Sequence, residues 1–270
     1  MDTIVCKFGG TSTADSNCFI QIKGILEADP RRRYIVLSAP GGNPKVTELL
    51  SRLWEAKNCP GGAEIILRAI ARRFSDIALP LGLPDPTPWV KASIREALGI
   101  SQSHTLSRGE ALCARLFSEY ARLPMIDAAQ VIRFDHTGHL DESATHAAVK
   151  DMAAAVPRAV IPGFYGADPE GRVKLLPRNG SDITGALVAA GAGAVLYENW
   201  TDVPGLMTDD PALCPDVQVI PEISYADMRR RALNGARVLH PDCLKPVARA
   251  GIPTRICRTR DPEAPGTRVR

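Results

Sequence analysis

Short β-rich apolar runs alternate along this sequence with longer stretches of helical periodicity. The clearest runs are Ile4–Lys7, Tyr34–Ser38, Ala159–Ile161 and Val195–Glu198, and helical patterns separate them. Strands that alternate with helices predict a layered α/β fold with a mostly parallel sheet. A chain of 270 residues is long enough for one such domain with a full core.

The boundaries of most elements can be predicted from periodicity and capping signals. We expect helices over 17–28, from 46 onward, and over 63–78, 90–98, 105–122, 181–190, 224–233 and 238–250, the last broken at its start by Pro241, with further strands at 125–127, 173–176 and 253–257. The turn at 168–171 predicts a hairpin. Ser181 and Ser224 are expected to cap helices, with Asp227 completing a capping box at the second.

Composition excludes several classes of protein. Apolar residues make up 45% of the chain and charged residues 23%, which argues against disorder. The seven cysteines are odd in number and include no C-x-x-C pair, so we expect neither a disulfide framework nor a zinc site. The net charge of +3 is scattered, and the arginine runs at 31–33 and 229–231 lack interleaved aromatic residues, so we expect no nucleic-acid partner. Without a leader or a long apolar stretch, we expect no membrane partner and a cytoplasmic location.

Two glycine turns follow predicted strands and suit an anionic ligand. Gly9 and Gly10 come directly after Lys7 and Phe8, and a second pair, Gly41-Gly42, follows the next strand. Glycines let a backbone approach a phosphate closely, and the helix N-terminus that follows presents free N–H groups. Each turn alone also fits a purely structural role. Together, at the carboxyl ends of neighbouring strands, they predict one shared ligand site.

Two further clusters carry polar groups at element ends. Arg178 precedes the predicted helix start at Ser181 and Asp182, and its guanidinium suits bidentate binding of a carboxylate. Thr201 and Asp202 follow a strand directly. An aspartate there suits a nucleotide or Mg²⁺, and it equally suits an ordinary turn.

Taken together, the segments occur in the order found in aspartate kinases. They are Lys7-Phe8-Gly9-Gly10-Thr11-Ser12, Ser38-Ala39, Arg108-Gly109-Glu110, Gly163-Phe164, Arg178-Asn179-Gly180-Ser181-Asp182, Trp200-Thr201-Asp202-Val203 and Gly235-Ala236-Arg237-Val238-Leu239-His240-Pro241. The chain therefore resembles the catalytic domain of that family over almost its whole length. The resemblance implies the three-layer α/β/α amino-acid kinase fold, with a central, largely parallel eight-stranded sheet. It also implies one domain over 1–270, with an amino-acid-binding lobe to about 178 and a nucleotide-binding lobe from about 179.

The resemblance implies ATP and Mg²⁺ as cofactors and assigns a role to each matching position. Lys7, Gly9 and Gly10 would bind the ATP phosphates, and Asp182 would orient the lysine or the metal-bound phosphates. The pocket for aspartate would comprise Ser38, Thr47, Glu110, Phe164, Arg178 and Ser181. The nucleotide site would also include Thr201, Asp202, Met207 and Arg237. No residue is assigned as a direct metal ligand.

The chain departs from the family pattern mainly on the nucleotide side. Met207 replaces a usual tyrosine, Ala212 replaces an arginine, Arg237 replaces a common lysine, and Asn179 replaces a glycine. Two alternatives therefore stay open: a kinase of another small acid or a phosphonate, and a catalytically degenerate paralogue that acts as a binding partner.

Regulatory ACT domains commonly follow the catalytic domain in aspartate kinases, and this sequence ends at Arg270. We therefore expect no ACT domain and no feedback inhibition by end-product amino acids, with a homodimer or a separate regulatory chain as possible assemblies.

Overall fold

The computed structural model describes residues 2–208, 217–233 and 241–270. Its strands are β1 (Ile4–Phe8), β2 (Arg32–Leu37), β3 (Ala159–Pro162), β4 (Tyr165–Ala167), β5 (Val173–Leu175), β6 (Leu196–Thr201), β7 (Glu222–Ile223), β8 (Thr254–Arg258) and β9 (Thr267–Val269). Its helices are α1 (Ser16–Ala28), α2 (Val46–Glu55), α3 (Pro60–Ala78), α4 (Thr87–Ile100), α5 (Gln102–Ala121), α6 (Ala128–Val131), α7 (Glu142–Ala155), α8 (Gly180–Gly191), α9 (Tyr225–Leu233) and α10 (Lys245–Arg249). Short 3₁₀ turns cover Gly10–Thr13, Leu79–Leu81 and Pro241–Leu244.

The central sheet has seven strands in the described part of the chain, in the order β3-β2-β1-β6-β8-β9-β7. All its pairings are parallel except β8 with β9. The expected layered α/β fold with a mostly parallel sheet is confirmed, with seven described strands where the resemblance implied eight. The carboxyl ends of β1, β2, β3, β6 and β8 share one edge, which is where ligands of such sheets bind.

An apolar core lies on each face of the sheet because side chains alternate along β1. Cys6 and Phe8 pack with residues of α1, α2, α3 and α5, such as Phe19. Val5 points to the opposite face, where residues of α7 and α8 cover the sheet. Strands buried on both faces in this way are typical of parallel sheets. Lys7 lies on the face of Val5, the face covered by α8.

Most predicted elements are confirmed within a few residues, and two predictions were wrong. Residues 125–127 form a single β-bridge, from Met125 to Val160, in place of a strand. The cap of α8 is Asn179, in the left-handed region at φ +64°, and Ser181 lies inside the helix. The break expected at Pro241 within 238–250 is confirmed, since the 3₁₀ turn from Pro241 precedes α10; residues 238–240 lie outside the described residues.

Local turn chemistry was predicted well. β4 and β5 pair as the expected antiparallel hairpin. At α9, Ser224 Oγ accepts a hydrogen bond from the Asp227 N–H at 3.0 Å and donates to the Asp227 carboxylate at 2.8 Å, which confirms the cap.

Helices α6 and α7 and strands β7 and β9 were not predicted. Among the described residues, no helix is long and apolar enough to cross a membrane.

Candidate active site

The two glycine turns are in direct contact. The Gly41 N–H donates to the Gly10 carbonyl at 2.8 Å. A Cβ at position 41 would lie 2.6 Å from the Gly10 oxygen, and one at position 10 would lie 3.0 Å from the Ala39 oxygen. Only glycine at 41 allows this approach without a shift of the backbone. The two turns therefore lie together at the carboxyl ends of β1 and β2, and the ligand site that they are expected to share stays a prediction.

Two side chains, those of Thr13 and Arg73, contact the backbone carbonyl groups of these turns. The buried Thr13 hydroxyl lies 3.2 to 3.3 Å from the carbonyl oxygens of Gly9, Gly10, Ser38 and Ala39. Arg73, on α3, donates to the carbonyl of Gly41 in the second turn. The turn carbonyls are thus engaged within the protein, so the turn geometry is fixed before any ligand binds.

Lys7 lies beside the first turn and is paired with an acidic side chain from α8. Its Nζ is 2.6 Å from Asp182 Oδ1, with side-chain exposures of 9% and 14%. A Cβ at Gly9 would lie only 3.5 Å from this Nζ, so the ammonium borders the glycine backbone. Asn199 Nδ2 donates to the same Asp182 oxygen at 2.8 Å. The pair therefore places one cation, already oriented, at the turns.

Helix α8 starts at this same place and approaches the sheet closely. A Cβ at Gly185, one turn into the helix, would lie 2.5 Å from the Tyr197 hydroxyl and 3.0 Å from Lys7 Cβ. The absence of a side chain there lets the first turn of α8, with Asp182, lie against β1 and β6. A helix N-terminus favours negative charge, so α8 adds to the cationic character around Lys7.

Glu110 is the most unusual charged group of the site. It is buried on α5, and in the described part of the chain its Oε2 has no hydrogen-bond partner. Burial raises the pKa of this carboxyl to about 8, although the backbone N–H groups of Ala39 and Glu110 oppose the shift. A buried carboxyl with an unused oxygen is costly unless a donor or cation meets it. The group is therefore suited to a cationic ligand.

The loop after β3 packs directly on the start of α8. A Cβ at Gly163 would lie 2.5 Å from the buried Ser181 Oγ. Phe164 has φ +77°, in the left-handed region, and its N–H donates to Thr184 Oγ1 at 3.1 Å. Such strain in a non-glycine residue persists only where the surroundings impose it, and it is common at binding sites. Phe164 and Ser181 are thus brought together as the sequence predicted.

The remaining positions predicted for the amino-acid pocket lie at element ends. Ser38 follows β2, and its N–H donates to the Phe8 carbonyl at 3.1 Å. Thr47 lies in the first turn of α2 and is half-buried, while Arg178 is exposed in the loop before α8.

The predicted nucleotide positions lie at the carboxyl end of β6. Thr201 ends the strand and its hydroxyl donates to Asp202 Oδ1 at 3.0 Å. The Ser12 hydroxyl, which follows the first glycine turn, forms a 2.6 Å hydrogen bond with the Thr259 hydroxyl, which follows β8. This bond connects the carboxyl end of β8 to the first glycine turn. Met207 is half-buried and forms a β-bridge with Val219. Arg237 and Ala212 lie outside the described residues, as do the other residues of 209–216 and 234–240.

Comparison with known proteins decides the family. The model of the amino acid kinase family matches residues 2–258. This chain belongs to the amino acid kinase family.

Within that family, the chain is similar to aspartokinases. It is 32% identical to aspartokinase 3 of Bacillus subtilis over 285 residues, which cover 98% of this chain and 63% of that protein. The structure of Clostridium acetobutylicum aspartate kinase superimposes with a TM-score of 0.92 at 38% identity, covering 98% of this chain and 62% of the other. Aspartokinase III of E. coli, solved with aspartate and ADP in the R-state, gives a TM-score of 0.86 at 32% identity, covering 99% and 64%. The chain thus spans less than two thirds of the length of these relatives.

Sequence analysis missed several residues that shape the site of this amino acid kinase. Thr13, Arg73, Tyr197 and Asn199 contact the turns or Asp182. Asn199 carried a usable signal: it is an amide inside a buried strand two residues before Thr201, where an apolar residue is the norm. Arg73 carried none, because it comes from a helix distant in sequence from the turn that it holds.

Proposed function

We propose that this chain transfers the γ-phosphoryl group of ATP to the side-chain carboxylate of L-aspartate, which gives 4-phospho-L-aspartate. The observation that carries the proposal is the placement of Lys7: its ammonium lies at two contacting glycine turns and is oriented by Asp182. The E. coli aspartokinase III solved with aspartate and ADP, which superimposes over nearly the whole chain, supports both ligands.

The residues at the turns fit a triphosphate. Gly10 and Gly41 let the two turns pack against each other, Lys7 supplies a positive charge beside Gly9, and α8 directs its N-terminus to the same edge. ATP supplies the phosphoryl group when bound. Mg²⁺ keeps several waters and binds mostly phosphate oxygens, so it needs few protein ligands.

The other half of the site fits an amino acid with a second carboxylate. Glu110 meets the substrate ammonium, because its buried Oε2 requires a cationic partner. Arg178 binds a substrate carboxylate through its guanidinium fork. Ser38, Thr47, Phe164 and Ser181 complete the pocket. An acidic and a basic anchor at opposite ends select a zwitterion with an acidic side chain.

The proposed reaction requires neutralisation of negative charge and does not require a general base. The aspartate side chain has a pKa near ~3.9 and is already an anionic nucleophile at neutral pH. The barrier comes from bringing one anion to another, so cations and N–H donors dominate. Lys7 neutralises charge on the transferred group, and Asp182 keeps Lys7 directed at the turns.

The nucleotide half is proposed to include Thr201, Asp202 and Met207, together with Arg237. It belongs to a lobe from about residue 179, and the amino acid binds in the lobe before it. Loss of the usual arginine at Ala212 weakens nucleotide binding by about 1.5–3 kcal/mol, the scale of one charge-assisted hydrogen bond.

We further propose a cytoplasmic enzyme that works as a homodimer or with a separate regulatory chain. We also propose that its 270-residue polypeptide is not inhibited by lysine, threonine or methionine.

An ATP-dependent hydroxamate assay over a panel of amino acids and small acids tests this function, because hydroxylamine traps acyl phosphates. Signal with L-aspartate is expected. If another acid gives the only signal, that acid and not L-aspartate is the phosphoryl acceptor. Absence of signal over the whole panel, together with no ATP binding, contradicts a kinase and supports a binding partner.

A further inference from the structure

The Asp182 carboxylate has two partners on the same oxygen. Lys7 Nζ lies 2.6 Å from Oδ1, and Asn199 Nδ2 donates to this oxygen at 2.8 Å. Lys7 on β1 and Asn199 on β6 are register partners in the parallel pair, so their side chains lie next to each other on one face. Asn199 is 2% exposed, which removes water as a competing partner. Its hydrogen bond therefore acts in a dry, low-dielectric place, where such bonds are strong.

A second side chain of β6 holds the backbone of the same residue. The Tyr197 hydroxyl donates to the Asp182 carbonyl at 3.2 Å, and it lies 3.4 Å from Asn199 Nδ2. Gly185 leaves the room that Tyr197 occupies beneath α8. Both the side chain and the backbone of Asp182 are thus fixed by neighbouring residues of one buried strand.

We propose that Asn199 is a positioning residue for phosphoryl transfer: it fixes Asp182 so that the Lys7 ammonium stays at the glycine turns. The inference rests on the proposed function and adds a residue to it. Sharing Oδ1 between an amide and an ammonium draws electron density from the oxygen, so Lys7 is oriented without being held as tightly as in an isolated pair. Because the ammonium borders Gly9, its other N–H groups would donate to phosphates bound at the turns.

The isosteric variant Asn199→Asp tests this directly, because it keeps the shape and replaces the donor by an acceptor. Two adjacent carboxylates cannot both ionise easily, so the pair retains one shared proton at low pH. That proton restores the bond to Asp182, and it is lost as the pH rises. We expect kcat of the variant, relative to the wild type, to fall about tenfold for each pH unit above the pKa of the pair. The KM for aspartate should change much less than kcat.

Two control variants separate positioning from packing. Asn199→Leu removes the hydrogen-bond donor and introduces no titratable group. The kcat of this variant should therefore be low at every pH and should not recover at acidic pH. Thr254→Val removes a buried hydroxyl of neighbouring β8 that bonds Tyr225 at 2.8 Å, and it should keep kcat within about twofold. A pH profile of Asn199→Asp that parallels the wild type, or an equal loss in Thr254→Val, would overturn the proposal.

Acylation of the Lys7 amine, followed by mass spectrometry on the free protein, gives a readout that needs neither substrate. In Asn199→Asp at alkaline pH, a second ionised carboxylate beside Lys7 stabilises the charged ammonium, which cannot be acylated, so its labelling should slow relative to the other lysines. Unchanged Lys7 labelling contradicts the placement of Asn199. An inactive wild type with slowed Lys7 labelling in the variant would instead contradict the proposed function alone.

Discussion

At the residue scale, the site depends on two buried charges of opposite sign in different environments. Lys7 has its partner, Asp182, at 2.6 Å, whereas Glu110 has an oxygen without a hydrogen-bond partner in the described residues. The Lys7 ammonium is held in place by its partner, whereas burial keeps the Glu110 carboxyl protonated below about pH 8 until a cation stabilises its ionised form. The two predictions below follow from this difference.

Lys7→Ala should lower kcat by a factor of about 100 or more, the scale found when one preorganised charge or donor is removed from a transition state. The fold should persist, because Asp182 keeps its hydrogen bond from Asn199 when the ammonium is removed. Steady-state kinetics with a thermal melt checks both statements. Lys150→Ala, an exposed lysine on α7, is the matched control and should match the wild type. Near-normal kcat in Lys7→Ala would make the phosphate assignment wrong.

The pKa of Glu110 predicts how aspartate use varies with pH. In the free protein this carboxyl is protonated below about pH 8, and binding of the substrate ammonium requires the ionised form. The KM for aspartate should therefore rise about tenfold for each pH unit below 8 and level off above it. Glu110→Gln should raise this KM and remove its pH dependence, while the KM for ATP stays the same. A wild-type KM for aspartate that is flat from pH 6 to 8 would contradict the role of Glu110.

At the element scale, glycine geometry decides how closely backbones approach. Gly41→Ala places a Cβ 2.6 Å from the Gly10 oxygen, so one turn must shift. We expect a rise in the KM for ATP and a loss of about 1–3 kcal/mol in the free energy of unfolding, the usual cost of overpacking. Denaturant melts and ATP kinetics measure both effects.

Gly24→Ala is the control for that substitution, because a Cβ there meets nothing within 4 Å in α1. It should stabilise the helix by about 0.5–1 kcal/mol and leave the kinetics alone. If the two variants alter the KM for ATP equally, the contact between the turns has no role in binding ATP.

Elements with strong local signals could be predicted, and those fixed by distant contacts could not. The glycine turns and the Ser224 cap are encoded within a few residues. Helix α7 was missed because its alanine-rich sequence presents only Thr145, Val149 and Met152 to the core, a weak apolar stripe. Strand β9 has three residues, and its pairing with β7 joins segments distant in sequence. Asn199 reaches Asp182 only because β6 and α8 pack together, which periodicity cannot show.

At the scale of the whole molecule, the question is what the 270-residue polypeptide does by itself. Feedback inhibition requires a second site whose ligand shifts the balance between two states. Lysine, threonine and methionine also lack a side-chain carboxylate for Arg178, so under the proposed function we expect them to compete poorly with aspartate. Steady-state kinetics of this polypeptide should show no inhibition by any of the three at physiological concentrations. Strong inhibition that is non-competitive with aspartate would reveal a regulatory site within these residues.

The central claim is that the side-chain carboxylate of aspartate accepts the phosphoryl group. Borohydride reduces an acyl phosphate to an alcohol, so reduction of the reaction mixture reports which carboxyl reacted. With protein, ATP and L-aspartate, we predict homoserine, and we predict none when ATP is omitted. Formation of 3-amino-4-hydroxybutanoate would place the phosphoryl group on the α-carboxyl, and no amino alcohol despite bound ATP and aspartate would contradict phosphoryl transfer to aspartate.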